Sequence, residues 1–215
     1  MLNIAIDGMA GAGKSQLAKD LAESLNIYHF NTGNVYRSLA CHYLATFGNQ
    51  ISKESIKEFV NSIKVDVVFK DKQQICYVNG QDYTKDLRTV KTSTFTAEIS
   101  PYVKIRNVVR AIQRDFAKKN DCVMEGRDIG RVVLPDASYK FFLTASVEER
   151  AKRRFKELSG KESYEEILKS IQKRDFEDIN REEGALIPAD NAIKVDTSYM
   201  TIDEMLRFCQ MKIGT

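Results

Sequence analysis

Leu2-Asn3-Ile4-Ala5-Ile6-Asp7-Gly8-Met9-Ala10-Gly11-Ala12-Gly13-Lys14-Ser15-Gln16 decides how the rest of the chain is read. Leu2 to Ile6 reads as a short buried strand. From Gln16 to Leu25, the apolar positions Leu17, Ala18, Leu21, Ala22 and Leu25 recur at helical spacing. Between strand and helix, Gly8 to Ser15 satisfies G-x-x-x-x-G-K-[ST]. Glycines allow a turn tight enough for backbone N–H groups to surround phosphates, and the following helix turns the positive end of its dipole toward the same anion. Lys14 is expected to reach the β- and γ-phosphates, and the Ser15 hydroxyl to ligate Mg²⁺. An ordinary Gly-rich strand-to-helix turn would share some of this pattern. The pattern's place, directly after a strand and before an amphipathic helix, is where phosphate binding requires it. The residues Gly8 through Gln16 are therefore expected to hold ATP or GTP.

Outward from this loop, strands alternate with helices. Helical runs are expected over Val35 to Phe47, and from the N-cap Ser52 to Ile63. Val65 to Phe69 and Gln74 to Val78 are β-rich and flank Lys70-Asp71-Lys72-Gln73, a hairpin signal, and Asn79-Gly80 marks a second turn. Helices are expected again at Thr92 to Ile99 and Tyr102 to Lys119, with Pro101 where a helix can start. Cys122 to Met124 and Tyr139 to Leu143 read as buried strands. Ala145 to Leu158 and Tyr164 to Asn180 read as helices, Ala192 to Val195 as a last strand and Ile202 to Met211 as a closing helix. Strands separated by helices imply an α/β chain whose parallel sheet is covered on both faces.

Composition narrows the function. The chain has 215 residues, 43% hydrophobic and 29% charged, as expected of one folded domain. A net charge of +3 is too small to signal a nucleic-acid binder. No apolar stretch has the roughly 18 residues of a membrane helix, and no basic segment with a small-residue cleavage site precedes the first strand, so a cytoplasmic location is expected. Cys41, Cys76, Cys122 and Cys209 form no C-x-x-C pair and read as buried thiols. His29 and His42 are the only histidines and make no metal cluster or Ser/His/Asp set, so imidazole is not expected to drive the chemistry.

What remains are arginines at turns and strand ends. Thr32-Gly33-Asn34-Val35-Tyr36-Arg37 puts a hydroxyl and a glycine at a helix start with an arginine one turn in. Glu125-Gly126-Arg127-Asp128-Ile129-Gly130 follows a strand, so its charges emerge at the carboxyl end, where ligands sit in open α/β sheets. Arg174, Asp178 and Arg181, at i, i+4 and i+7, share a helix face. Arg37 alone also reads as a solvated charge, and the Arg174/Asp178/Arg181 stripe as an exposed ion-paired face. Several arginines together fit a site that brings two phosphorylated molecules together, which points to a kinase acting on a phosphorylated acceptor.

Residues from Ile4 to the last helix resemble the bacterial cytidylate kinases of the nucleoside monophosphate kinase group. The resemblance lies in the phosphate loop, Thr32-Gly33…Tyr36-Arg37, Val103…Arg106, Gly126-Arg127-Asp128-Ile129-Gly130, Val132-x-Leu134-Pro135-Asp136-Ala137, Ala145-Ser146-Val147-Glu148-Glu149-Arg150-Ala151-Lys152-Arg153-Arg154, and Arg174-Asp175…Asp178-Ile179-Asn180-Arg181…Pro188-Ala189. It implies a P-loop NTPase fold of three layers, a central parallel sheet flanked by helices, with a small antiparallel insertion and a helical lid. Within a single domain, 1–33, 120–145 and 182–215 would form the core. Residues 34–119 would form the monophosphate-binding region, with the insertion at 64–90, and 150–181 the lid and its flanking helices. The resemblance also implies site roles. Arg37, Arg127 and Arg181 would hold the acceptor phosphate, with Thr32 beside them. Asp178, aided by Arg174, would bind the sugar hydroxyls, and Arg106 and Asp128 would read the base. Arg150, Arg153 and Arg154 would close over the ATP phosphates. Lys14, Arg127, Arg181, Arg150 and Arg154 would thus be the catalytic set.

The implied reaction moves the γ-phosphoryl group of ATP, with Mg²⁺, to CMP or dCMP, in a monomer with no nucleic-acid or membrane partner. A kinase for another monophosphate such as UMP, or a non-enzymatic NTP-binding regulatory module, are the alternatives. Three positions depart from the family pattern. Glu125 stands where aspartate is usual. Ala97, beside Thr96, stands where a serine near the base is common. Thr32 replaces a serine and keeps its hydroxyl.

Overall fold

A computed structural model of the chain describes residues 1–158 and 162–214. Part of the expected lid, 159–161, and the terminal residue 215 of the expected core lie outside the described residues. The chain divides into two compact units, Met1–His29 with Asn120–Thr215, and Phe30–Lys119.

A five-stranded sheet has the order β2-β6-β1-β7-β8: β1 Asn3–Gly8, β2 Tyr28–Asn31, β6 Cys122–Glu125, β7 Tyr139–Thr144 and β8 Ile193–Asp196, all within the first unit except the last two residues of β2. The pairings β1–β6, β1–β7 and β7–β8 are parallel, with Ile4 opposite Val123 and Tyr139. Parallel strands must be covered on both faces, which explains the unbroken apolar run in β1. Ile4 and Ile6 pack with Leu17, Leu21, Met205 and Cys209 of the helices α1 (Lys14–Ser24) and α8 (Ile202–Ile213). Ala5 faces the other way, toward Gly130 and the Lys140 stem. Each face of β1 therefore has its own cover.

Two short strands, β2 and Gln81–Asp82, and one helix turn were absent from the sequence reading. β2 is only four residues long, and a single buried Phe30 between half-buried neighbours gives too short an alternation to register as a strand. After β6 the chain enters one turn of π-helix, Ile129–Val133, which is uncommon and often local to functional sites. Asp7, the last side chain of β1 before the phosphate loop, fixes this turn. Its two carboxylate oxygens accept from the Ile129 and Gly130 N–H groups at 2.8 and 2.7 Å. The helices α6 (Val147–Leu158) and α7 (Tyr164–Asn180) complete the unit. α6 begins two residues later than its apolar pattern suggests, because Ser146 acts as its cap and accepts from Glu149 N. α7 starts at the Ser163/Glu166 capping box.

The second unit contains α2 (Thr32–Thr46), α3 (Lys53–Ser62), β3 (Val65–Lys70), β4 (Gln73–Val78), β5 (Gln81–Asp82), α4 (Val90–Ile99) and α5 (Val103–Lys119). β3, β4 and β5 form the expected small antiparallel sheet. The hairpin turn shrinks to Asp71-Lys72, both at positive φ, the two-residue form whose twist suits antiparallel strands. The core of this unit is aromatic: the Tyr43 ring lies 5.0 Å from Phe59 and 5.3 Å from Phe95. All four cysteines are buried. Among the described residues, no helix is long and apolar enough to cross a membrane.

Asp7 gives the fold a testable pH signature. Burial raises its carboxyl from the ordinary 3.8 to about 6, against the lowering effect of the Gly130 and Ile129 N–H groups. A carboxyl raised on folding contributes stability that is fully present below about 4 and is lost as pH rises through about 6. Asp7→Asn replaces one of the two acceptors by a donor facing an N–H. It should lower stability by about 1–3 kcal/mol at pH 4.5, with a smaller deficit at pH 7.5, measured by denaturant unfolding of both chains. A deficit that grows with pH would refute this account of Asp7.

Candidate active site

The phosphate loop starts where β1 runs out of sheet. Gly8 has φ +144°, and a Cβ there would collide with the Leu143 carbonyl of β7, so only glycine fits. Met9 N donates to the same carbonyl at 3.1 Å. The loop then curls over the start of α1, and Lys14 is buried, its Nζ donating to Met9 O at 2.6 Å. Burial comes first and the Arg127 guanidinium second in pushing the Lys14 ammonium well below the usual lysine range; Arg174 acts the same way, while Glu125 and Asp178 oppose it. The Gln16 side chain is directed along α1 to Asp20 at 2.6 Å, which leaves its backbone as the part available to the loop.

Glu125 closes β6 beside Ser15. The Ser15 hydroxyl donates to Glu125 Oε2 at 2.7 Å, and His29 Nε2 lies 3.2 Å from Oε1. Burial alone would raise the Glu125 carboxyl, but hydrogen bonds from His29 and Ser15 and the charge of Lys14 hold it below the usual glutamate range. Among the described residues no three His, Cys, Asp or Glu side chains are grouped to cage a metal. A hydroxyl and an ionised carboxylate in contact at the mouth of a phosphate loop suit Mg²⁺, which takes few protein oxygens and completes its shell with phosphates and water. The donor set fits the metal.

A second cluster stands on α7. Asp178 is buried and accepts from Arg127 Nε at 2.8 Å through Oδ2 and from Arg181 Nη2 through Oδ1. Burial opposes the ionised form, but Arg127 and Arg181 outweigh it and hold the carboxyl below the usual aspartate range. One carboxylate thus gathers the two guanidiniums of this unit that are expected at the acceptor phosphate. The Arg181 Nε is buried with no hydrogen-bond partner. Asp128 is buried in the bend before the π-helical turn.

The three lid arginines part company. Arg150 is buried. It donates through both Nη atoms to Asp175, at 3.0 and 2.7 Å, through Nε to Ala145 O at 2.9 Å, and through Nη1 to Ala10 O of the phosphate loop at 3.2 Å. Arg153 donates to the Thr197 carbonyl, and the Thr197 hydroxyl donates onward to Ala12 O at 3.1 Å. Arg154 is exposed and pairs with Glu157 at 3.0 Å.

Thr32, Arg37 and Arg106 belong to the second unit. The Thr32 hydroxyl accepts from Gln113 Nε2 at 2.7 Å. Arg37 Nη2 donates to Asn34 Oδ1 at 2.9 Å, and its guanidinium covers Gly33 so closely that a Cβ there would meet it. Arg106 is buried on α5. At the departure on α4, Ala97 is exposed and Thr96 donates its hydroxyl to Thr92 O of its own helix at 2.6 Å. Sequence reasoning assigned no role to Asp7, His29, Gln113, Asp175 or Thr197. Asp7 and Asp175 stood inside the motifs that carry the resemblance, whereas Gln113 and Thr197 carried no local signal.

Comparison with known proteins places this geometry. The family model described as cytidylate kinase matches residues 4–213. A cytidylate kinase of Caldicellulosiruptor bescii is 39% identical over 209 residues, 96% of this chain and 92% of the relative. One from Clostridium botulinum is 41% identical over 208 residues, 95% of this chain and 94% of the relative. Among solved structures, a shikimate kinase from Bacteroides thetaiotaomicron covers 100% of this chain and 99% of its own, with a TM-score of 0.50 and 13% identity, a likeness of fold alone.

The contrast between Arg150 and Arg154 can be measured. Asp175→Ala leaves a buried guanidinium without its counter-ion and should cost about 3 kcal/mol of unfolding free energy, whereas Glu157→Ala at the exposed pair should cost less than about 0.5 kcal/mol. Equal losses in chemical denaturation would show that the Arg150 pair is not an internal brace.

Proposed function

The chain belongs to the cytidylate kinase family, and we propose that it transfers the γ-phosphoryl group of ATP to CMP or dCMP, yielding CDP or dCDP. One observation carries the reading: Lys14 is buried in the loop between β1 and α1 with its Nζ on the Met9 carbonyl, Ser15 meets the Glu125 carboxylate at the loop's mouth, and Asp178 gathers Arg127 and Arg181. Triphosphate in the loop supplies the anion that such a set of cations and N–H groups takes. The loop N–H groups and Lys14 hold the β- and γ-phosphates. Ser15 and Glu125 would hold Mg²⁺, which with ATP would supply neutralisation of the phosphate charge.

Arg127 and Arg181, held by Asp178, take the acceptor phosphate together with Arg37, and Thr32 contributes a hydroxyl to substrate binding. Neutralising the acceptor lets an anionic oxygen approach the γ-phosphorus, and that oxygen needs no general base. Asp178 and Arg174 bind the sugar hydroxyls. Arg106 and Asp128 read the base, the carboxylate accepting from the cytosine N4 amino group and the guanidinium donating to N3 and O2. Uracil reverses donor and acceptor at positions 3 and 4 and leaves these groups unpaired. Arg150, Arg153 and Arg154 act at the lid, which excludes water during transfer. Residues 34–119 serve as the monophosphate-binding region. The same reading makes the protein a cytoplasmic monomer whose partners are small nucleotides, with neither nucleic acid nor membrane among them.

A coupled ADP-release assay over CMP, dCMP, UMP, AMP and GMP tests the reaction. CMP and dCMP should raise ATP turnover far above the ATP-alone rate. A flat response to all five would overturn the kinase reading in favour of an NTP-binding module, and a preference for UMP would move the acceptor. Asp128→Ala should reduce the preference for CMP over UMP in kcat/KM by about 10–100-fold, with the KM for ATP changed less than about threefold. An unchanged preference would remove Asp128 from base reading.

A further inference from the structure

His29 has no part in the reaction just described, yet its imidazole meets the carboxylate beside the phosphate loop. Three observations give the contact meaning. Glu125 is buried at the end of β6, and its two oxygens are held by different elements: Oε2 by the Ser15 hydroxyl of α1 at 2.7 Å, Oε1 by His29 Nε2 at 3.2 Å. An ionised carboxylate only accepts, so Nε2 must carry the proton that it donates. β2 is built to aim this group, since its alternation buries Phe30 in the core and leaves the preceding side chain, 19% exposed, on the Glu125 side.

We propose that His29 is a positioning residue for the Mg²⁺ that accompanies ATP, acting through Glu125 and Ser15. The Ser15 oxygen can give a lone pair to a cation only while its proton is directed elsewhere, and Glu125 Oε2 is where it goes. A glutamate carboxylate turns about three bonds, and hydrogen bonds to both of its oxygens, Ser15 on Oε2 and His29 on Oε1, set the plane in which it lies. The imidazole thus orders the carboxylate, and the carboxylate orders the hydroxyl. Groups of this kind, one step removed from a metal, typically govern its affinity by about 10–100-fold.

The inference rests on the phosphate-loop reading above, and the test separates the two. The dissociation constant of ATP is measured calorimetrically in excess Mg²⁺ and in EDTA for the whole chain, without acceptor. The ratio of the two constants is the gain that Mg²⁺ confers. His29→Leu should make that ratio about tenfold smaller and leave the EDTA value within about twofold of wild type. His29→Gln, which keeps a donor near the position of Nε2, should restore most of the ratio. In a Glu125→Gln background, His29→Leu should have no further effect.

An unchanged ratio in His29→Leu would overturn the proposal. So would equal weakening with and without Mg²⁺, or a thermal midpoint that falls alike in the Leu and Gln variants, since either marks mere packing. Wild-type protein that binds ATP without any gain from Mg²⁺ would overturn it too. If wild type binds Mg²⁺ with ATP but phosphorylates no monophosphate, the kinase reading fails, while the ratio still decides the role of His29.

Discussion

A buried lysine ammonium, disfavoured by burial first and by the Arg127 guanidinium second, is the constraint on which the chemistry of the first unit depends. Moving a charge out of water is expensive, and a second cation nearby adds repulsion that weak interior screening does little to relieve. Lys14 bears both penalties, and its ammonium leans on the Met9 carbonyl of its own loop. Glu125 and Asp178 offset part of the charge, but each is already engaged, Glu125 with Ser15 and His29, Asp178 with Arg127 and Arg181. The balance left over is positive. Burying the ammonium costs solvation in the free protein, and an anion arriving in the loop would relieve that cost.

The parallel sheet makes this concentration of charge possible. The register sets Ile6 of β1 opposite Glu125 of β6, so the phosphate loop opens two residues past the point where β6 ends. Asp7 then prevents the chain after β6 from wandering, by holding two successive N–H groups of the π-helical turn. Asp128 and Arg127 leave the sheet from a backbone that is fixed on both sides. A charged loop anchored this way loses little further entropy when a ligand arrives, which is the advantage of preorganisation.

The parts of this site that could be read from sequence are those whose logic is local. The phosphate loop is eight consecutive residues, and Arg174, Asp178 and Arg181 declare their common face by helical spacing. Hidden from that reading were contacts made across the sequence. Asp7 meets residues 129 and 130, His29 meets Glu125, and Asp175 meets Arg150, each pair adjacent only because the sheet or two packed helices bring them together. β2 escaped for a different reason: four residues give an alternation too short to stand above chance, and with β2 went the direction of His29. The departure at Glu125 was legible as a substitution, but its companion was not. Seen in the fold, the longer carboxylate reaches a second anchor.

Asp175 and Asp178 show how much one helix can carry. Three residues apart, they lie near each other on α7 but bond to different things. Asp175 holds Arg150, whose guanidinium also supports the Ala10 carbonyl of the phosphate loop, while Asp178 holds Arg127 and Arg181. The phosphate loop and the arginines proposed for the acceptor phosphate are therefore suspended from the same turn of helix. The Asp175–Arg150 pair is bidentate, and the Asp178 carboxylate has one oxygen on each of two guanidiniums, so in both a small displacement breaks a charge-assisted hydrogen bond and strands a buried charge. A shift of α7 along its axis strains both connections at once. The relative placement of loop and arginines is thus set by the spacing of two aspartates on a rigid element, which is a more exact ruler than any surface loop could supply.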